Sequence, residues 1–524
     1  MVRARPVLPH GHGELLTDPP FDEWAAIADE NAARSSAWDF TVGGVSAAEL
    51  RQQARREAVT GAEEFSARLG VPTRSVPAEP GRVVLTGHQP QLYHPGVWIK
   101  NFLLQRFADE TGAAGIDLVV DSDAFESVSL TMPCLAPEVR RCSEPLATGG
   151  PNRCFACTDS QDRAAVERFC SVVDGLLAGL PAPALRRHFG EFGTALLSAV
   201  EDARNLGELV TFARRRYERV AGTDYAELPV TRLGRTEAFA RFVSDIVVRA
   251  EEFAACYNSE LGRYRRANRI RTAAQPFPDL SVESAETELP FWAMGATSRG
   301  ALSVARHGDT VVLLSDGAPL FEVPAQADAV ADALHDANVM LAPKALTLTL
   351  FARLFVADLF IHGVGGGRYD RVTDGVMRDF YGIEAPRYVV ASMTMYLPLG
   401  GHIVTDEELA EARRRLQRLE HNPDSLLGEV DFETTEDRRE AFELAEEKTQ
   451  LVAEIAEAQA DKKRLGSRIR EVNRQLADLL GPLADQLSTD LATLEAQRAA
   501  TEILTDREYP FCLWSPLEVA DKAR

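Results

Sequence analysis

Positive charge is in short supply in this chain. Its 57 lysines and arginines face 79 acidic side chains, leaving a net charge of -22. Nucleic acids and anionic membranes are held through a surplus of positive charge, so neither is an expected partner. A locally basic pocket for an anionic substrate stays compatible with that balance. Long apolar runs are missing too. The most apolar stretch, Leu346–Val364, is interrupted by Arg353, Asp358 and His362, whereas a membrane span needs about 20 nearly uncharged residues. A buried helix is expected there instead. The opening MVRARPVLPHGHGELL has no apolar h-region, which argues against a secretory signal. Cysteine is sparse and odd in number, 7 in 524 residues, which predicts free thiols in a reducing compartment. The expected location is the cytoplasm. Nucleotide signatures are absent as well. No Gly-Lys-Ser/Thr of a P-loop occurs, and the glycine cluster at 363–367 lacks the last glycine of G-x-G-x-x-G.

What is present is ordinary globular composition, 45% hydrophobic and 26% charged, in a chain long enough for two to four structural units. Residues 1–80 read as helical, with apolar positions at helical spacing in Phe21–Asn31 and Ala47–Leu69, closed by a Pro-rich link at Val71–Pro80. Arg82–Thr86 is a β-branched strand ending in Gly-His-Gln-Pro, and a helix is expected after Pro95-Gly96. Ile116–Val120 is a second buried strand, so strand, helix and strand form a βαβ unit with a parallel sheet. The expected fold is therefore α/β: an N-terminal helical region at 1–80, a core at 81–400 with a mostly helical insertion over about 135–290, an arm at 401–505 and a closing segment at 506–524. Within the core, Thr310–Leu314 and Pro319–Val323 suggest a hairpin around Asp316-Gly317, and Tyr388–Ser392 is another strand candidate. In the arm, Thr405-Asp406-Glu407-Glu408 is a capping-box start. Leucines and their equivalents from Leu465 to Leu494 recur at spacings of three and four, the seam of a coiled coil, with Gly466 and Gly481-Pro482 expected to bend or break it. At about 1.5 Å per residue the segment 436–480 reaches about 65 Å, which predicts a projecting arm folded back as an antiparallel hairpin.

Three constellations could carry chemistry. The first is Gly87-His88-Gln89-Pro90…His94-Pro95-Gly96, with Lys100 one turn into the following helix. Glycine permits a sharp turn at a strand's carboxyl end, where α/β ligands bind. Two imidazoles there can hydrogen-bond phosphate oxygens or move protons near neutral pH, and the helix start favours an anion. Histidines that merely cap and pack the turn are the structural alternative. The second is Asp121-Ser122-Asp123 at the next strand end, with Glu126 behind, suited to an ammonium, a metal or base chemistry, or else to helix capping. The third is His362–Arg371, where Gly365, Gly366 and Gly367 allow close backbone approach and Arg368, Tyr369 and Asp370 offer polar contacts; a plain turn reads equally well. Cys134, Cys142, Cys154 and Cys157 contain only one close C-x-x-C pair, so free thiols are expected there and zinc is not. Tyr257-Asn258 and the basic run Arg263–Arg271 read as a solvated helix face or as an anion-binding patch.

Taken in order, these segments resemble one family. LTGHQPQLYHPGVWIK at 85–100 resembles the TGQQ…G…K segment of the bacillithiol synthase (BshC-like) family, with GHQ in place of GQQ. DSDAFE at 121–126 is similar to that family's acidic strand end. FIHGVGGGRYDRV at 360–372 resembles its glycine-rich stretch, and Ala391-Ser392, the coiled coil and Arg507-Glu508-Tyr509 follow in the family's order. The first segment is also similar to the start of WbqC-like proteins. The resemblance implies a Rossmann-like, nucleotidyltransferase-type core with a helical coiled-coil arm, and an amide-forming ligase joining an amino acid such as cysteine to the amine of a small molecule or amino sugar. It implies that His88, Gln89 and His94 line the core pocket, that Asp121 and Asp123 face it, and that Gly365–Gly367 with Tyr369 close it. On this reading His88, His94, Asp121 and Asp123 are the candidate catalytic residues. Gly87, Gln89, Lys100, Asn258, Gly365, Gly366, Gly367, Arg368 and Tyr369 are the candidate substrate- or nucleotide-binding residues. ATP is the candidate cofactor, no metal is expected, and the coiled coil is a candidate homodimer surface. A nucleotidyltransferase or adenylate-forming enzyme, and a noncatalytic coiled-coil scaffold, are the alternatives.

Overall fold

A computed structural model describes residues 8–76, 81–272, 275–283, 286–400, 404–432, 434–457 and 461–524. The chain divides into two compact units: Met1–Cys134 with Arg141–Leu397 and Arg507–Arg524, and Leu135–Arg140 with Pro398–Asp506. No helix among the described residues is long and apolar enough to cross a membrane.

The first unit is mixed α/β. Its strands are β1 (Glu14–Asp18), β2 (Val83–His88), β3 (Ala114–Val119), β4 (Ser127–Cys134), β5 (Arg140–Thr148), β6 (Ala226–Pro229), β7 (Glu286–Met294), β8 (Arg299–His307), β9 (Thr310–Ser315), β10 (Ala318–Pro324), β11 (Leu341–Pro343), β12 (Leu359–His362) and β13 (Val389–Thr394). Its helices are α1 (Trp24–Ser36), α2 (Ala47–Ser66), α3 (Pro95–Thr111), α4 (Arg163–Leu177), α5 (Pro183–Ala199), α6 (Leu206–Glu218), α7 (Val230–Leu233), α8 (Glu237–Val248), α9 (Ala250–Ala267), α10 (Ala327–Asp336), α11 (Ala345–Phe351) and α12 (Val364–Tyr381). The second unit contains α13 (Asp406–His421), α14 (Thr435–Glu457), α15 (Lys462–Leu479) and α16 (Gly481–Leu504), and α17 (Pro516–Ala523) returns to the first.

Six strands form the main sheet in the order β1-β13-β12-β2-β3-β6, parallel from β13 to β6, with β1 antiparallel at the edge. Parallel strands are covered on both faces, which is why Val83, Val84 and Leu85 are all fully buried. Val83 and Leu85 join the core shared with α2 and α8, while Val84 points to the opposite side by the two-residue period of a strand. The chain runs outward from β2 through β3 to β6, then returns beside β2 as β12 and continues to β13. The order reverses between β2 and β12, and such a switch leaves a crevice at the carboxyl ends of the two strands.

Over that crevice lies a five-stranded antiparallel sheet, β10-β9-β8-β7-β11. The β9–β10 hairpin expected around Asp316-Gly317 is present, with φ of 47° and 76° at the two turn residues, the left-handed pair that a two-residue hairpin turn requires. Strands β7 and β8 were not expected. Pro290 interrupts the strand signature of β7, because proline cannot donate to a ladder; its carbonyl accepts from Lys344 N at 2.9 Å instead.

Three further expectations are corrected. Residues 1–80 are not all helical, since Glu14–Asp18 is the edge strand on β13; the predicted link Val71–Pro80 lies partly outside the described residues. The run Leu346–Val364 is not one buried helix. It is α11, a π-turn at Ala352–Val356 and strand β12. Asp358 explains the break: its carboxylate receives Arg51 at 2.6 Å, Arg55 at 2.8 Å and Val83 N at 2.8 Å, tying the chain to β2 and α2 just before β12. The four cysteines expected as free thiols form two disulfides, Cys134–Cys142 across β4 and β5 and Cys154–Cys157 within the C-x-x-C turn. Sequence spacing alone does not register the first pair, which the two-stranded ribbon brings together.

In the second unit, α13 opens with the expected capping box of Thr405 and Glu408. Gly466 sits inside α15 without breaking it, while Gly481-Pro482 starts α16. Leu419, Leu426, Val472, Leu476, Leu480 and Leu487 form the core of these helices.

Candidate functional site

A cavity of about 520 Å³ opens at the switch point. Its floor is the carboxyl ends of β2, β3 and β12, and its roof comes from β7, β8 and the start of α11.

The Gly87 turn forms one side. Glycine at 87 is required by close approach, since a Cβ there would lie 2.9 Å from the Leu118 carbonyl of β3. His88 reaches the cavity, with its Nδ1 3.1 Å from the Gln89 carbonyl and its ring edge-on to Tyr93. Desolvation, with Lys100 behind it, pushes its pKa down to about 3, so it stands neutral at pH 7. Lys100 does not enter the cavity. It donates to the Gly87 carbonyl at 2.8 Å from beneath, and burial lowers its pKa to about 8 although Asp117 pulls it upward. His94 also lies outside the cavity lining. It is the N-cap of α3, its Nδ1 accepting from Gly96 N at 3.1 Å, so the capping alternative holds for this histidine.

The two aspartates part company. Asp121 is buried and turned away, receiving both the backbone N–H and the hydroxyl of Thr231 at the start of α7. Burial pushes its carboxyl up to about 6 against those two hydrogen bonds. Asp123 lines the cavity, accepting from Gln89 Nε2 at 2.9 Å and from Arg299 Nη1 at 3.0 Å. Arg299 also donates to the Ser122 carbonyl at 2.8 Å. Its guanidinium lies 4.1 Å from the Trp292 ring centre, and Lys344, paired with Glu288, lies 4.7 Å from the same ring. The cavity therefore presents two cations against one indole, each paired with a carboxylate.

The opposite side holds His362 and α12. His362 ends β12 between Phe360 and Tyr388, and its Nε2 is 2.9 Å from Asp370 Oδ2. Asp370, 1% exposed, also takes Arg353 and the Thr349 hydroxyl. Burial raises its pKa, but Arg353 and His362 outweigh that and hold the carboxyl below the usual range. With Asp370 ionised, Nε2 of His362 is the donor to it, so in the neutral tautomer the lone pair is on Nδ1. That atom faces Gly366, where a Cβ would lie only 3.0 Å away; glycine leaves the approach to Nδ1 clear. Gly367 is demanded by packing, its hypothetical Cβ being 2.6 Å from Val390.

Of the expected residues, the fold brings Gly87, His88, Gln89, Asp123, Gly366 and Tyr369 around one cavity. His94, Lys100, Asp121, Asn258, Gly365, Gly367 and Arg368 are not in its lining. Asn258 clasps Leu280 through both its N–H and its carbonyl, steadying the loop that carries Phe277 and Leu280 into the wall. Two arginines of the basic run are ion-paired, Arg263 with Glu260 and Asp379 and Arg265 with Asp279. His362 opened the third candidate constellation but was given no role in it, although an imidazole between an apolar strand and a glycine cluster is a usable signal. Arg299, Trp292 and Glu288 carried none, because they sit on strands whose local pattern is not strand-like, and Lys344 is the isolated N-cap residue of α11. No group of three or more His, Cys, Asp or Glu suited to a metal occurs among the described residues. No protein-family model matches the chain, and no curated protein matches it.

Proposed function

We propose that this chain is an amide-forming ligase, joining an amino acid to the amine of a small molecule or amino sugar, as the resemblance to the bacillithiol synthase family implies. The observation that carries this reading is the His362–Asp370 pair at the rim of a cavity that also presents opposed cations and carboxylates. An amine attacks only when neutral, so it needs a positioned base. His362 Nδ1 takes the amine's proton, and Asp370 fixes the tautomer and stabilises the imidazolium, a carboxylate–imidazole arrangement of general use. Arg299 and Lys344 hold the carboxylate of a substrate, and Asp123 and Glu288 hold its ammonium. Neutral His88 donates or accepts a hydrogen bond without adding charge. For ATP, the groups that fit phosphate are the first-turn amides of α12, bared by Gly365 and Gly366, and Lys344.

The finer architecture belongs to the same proposal. The reversal of strand order at the cavity supports a Rossmann-like, nucleotidyltransferase-type core, and the seam from Leu465 to Leu487, buried among the chain's own helices, supports a coiled-coil arm that packs on itself. The test is to incubate the protein with ATP, each amino acid and simple amines, and to follow new amides, pyrophosphate, AMP and ADP by mass spectrometry. Amino-acid-dependent turnover that His362→Ala and Asp370→Asn abolish is expected. Turnover surviving both substitutions overturns the assignment, and an absence of any amino-acid or nucleotide binding favours the scaffold.

A further inference from the structure

The C-x-x-C turn lies beside the cavity and is spent on no catalytic role above. Its two middle residues are the ones that grip the Asp121–Asp123 loop. Phe155 N donates to the Asp123 carbonyl at 3.3 Å, and Ala156 N to the Asp121 carbonyl at 2.9 Å. Cys154 forms an antiparallel bridge with Ala124, and the Phe155 ring stacks on Phe125 with centres 4.5 Å apart. The Cys154–Cys157 disulfide thus closes a small ring around the two amides that fix the loop, and Asp123 on that loop braces Gln89 and Arg299 at the cavity.

We propose that the Cys154–Cys157 disulfide is a redox modification site, a clasp whose reduction by an external dithiol loosens the Asp123 side of the cavity. The two sulfurs are unequally placed: Cys154 is fully buried and Cys157 is partly exposed. A dithiol's thiolate attacks Cys157 Sγ, forming a mixed disulfide and expelling Cys154 as thiolate. The Cys157 N–H, 3.0 Å from Cys154 Sγ, steadies that leaving sulfur until it is protonated. The dithiol's second thiol then attacks its own mixed-disulfide sulfur, releasing Cys157. Two electrons and two protons pass to the protein, and the dithiol leaves as a disulfide. With the ring opened, the 154–157 turn gains backbone freedom, and its grip on 121–125 weakens. The inference rests on the proposed function only in taking this cavity as the working site.

The test uses the full chain with dithiothreitol as the dithiol. Thiol alkylation with mass spectrometry reads the state of each cysteine, and hydrogen exchange reads the Phe155 and Ala156 amides, the donors to the Asp121–Asp123 loop. In untreated protein Cys154 and Cys157 resist alkylation. Mild reduction exposes both and speeds exchange of the Phe155 and Ala156 amides by about tenfold, the effect of weakening their two backbone hydrogen bonds to the loop. The double variant Cys154→Ser/Cys157→Ser exchanges at the fast rate from the start and ignores dithiol, while Cys134→Ser/Cys142→Ser responds as the unmodified protein does. Free Cys154 and Cys157 in the untreated protein overturn the clasp. So does exchange at Phe155 and Ala156 that reduction leaves unchanged, or a dithiol response that persists in Cys154→Ser/Cys157→Ser. Since exchange is read without turnover, a responsive loop in a protein that makes no amide leaves the clasp standing and removes only the ligase reading.

Discussion

Asp370→Asn is the substitution that most directly probes the site. The carboxylate is 1% exposed and meets Arg353, which is 2% exposed, together with Nε2 of His362 and the Thr349 hydroxyl. Asparagine keeps the shape, with its carbonyl toward Arg353 and His362 and its NH2 toward the Thr349 hydroxyl, which can turn to accept, but it removes the charge that pairs with Arg353. Breaking a buried ion pair costs about 3–5 kcal/mol. The lower end applies here, because Arg353 keeps Asp374 at 2.7 Å and the Pro386 carbonyl. With an unfolding entropy of about 2 cal/mol/K per residue, a loss of about 3 kcal/mol lowers the melting midpoint of a unit this large by only about 3–4 °C. The pH dependence sharpens the test. A carboxyl held below its ordinary pKa contributes stability that is fully present above the unfolded value of about 3.9 and is lost as pH falls further. The gap between the parent protein and Asp370→Asn in calorimetry should therefore be constant from pH 7 to about 4 and shrink below that. An unchanged midpoint at pH 7, or a gap that closes between pH 7 and 5, refutes the ionised, paired Asp370 on which the role of His362 depends.

Other outcomes follow from the same geometry. Gly366→Ala puts a methyl 3.0 Å from His362 Nδ1; calorimetry should move by less than about 1 kcal/mol, while amide formation falls by about 10²-fold or more, the usual worth of a general base. Lys100 has its pKa lowered to about 8, so in the parent protein stability rises as pH climbs from about 8 to its unfolded value of about 10.4, by on the order of 3 kcal/mol. In Lys100→Met that rise should vanish from urea-unfolding curves, and its persistence would place the titration elsewhere. Leu476, fully buried among the helices of the second unit, should cost about 2–5 kcal/mol as Leu476→Ala, read as a loss of helical circular dichroism at lower urea.

Much of the local structure was legible because its causes are local. The β-branching of Arg82–Thr86, the Pro95 start of α3, the Asp316-Gly317 turn and the Thr405 capping box each depend on residues within a few positions. Departures arose where a distant partner decided the outcome. Asp358 divides Leu346–Val364 because Arg51 and Arg55 of α2 claim its carboxylate, 307 and 303 positions away. Glu14–Asp18 is a strand because β13 offers it an edge.

The candidate site divides in the same way. The amino-acid sequence by itself determined that Gly87–Gln89 and the Asp121–Asp123 segment would stand at the ends of neighbouring parallel strands, since strand periodicity, turn glycines and a connecting helix are short-range properties. Only the tertiary structure decided which side chains face the cavity. Asp121 turned inward to Thr231 while Asp123 met Arg299, 176 residues on. His94 became a cap, His362 acquired Asp370 across the β12–α12 turn, and the cysteines paired. Orientation at a strand end depends on which donors the rest of the fold delivers to it, and those partners come from elements far away in the chain.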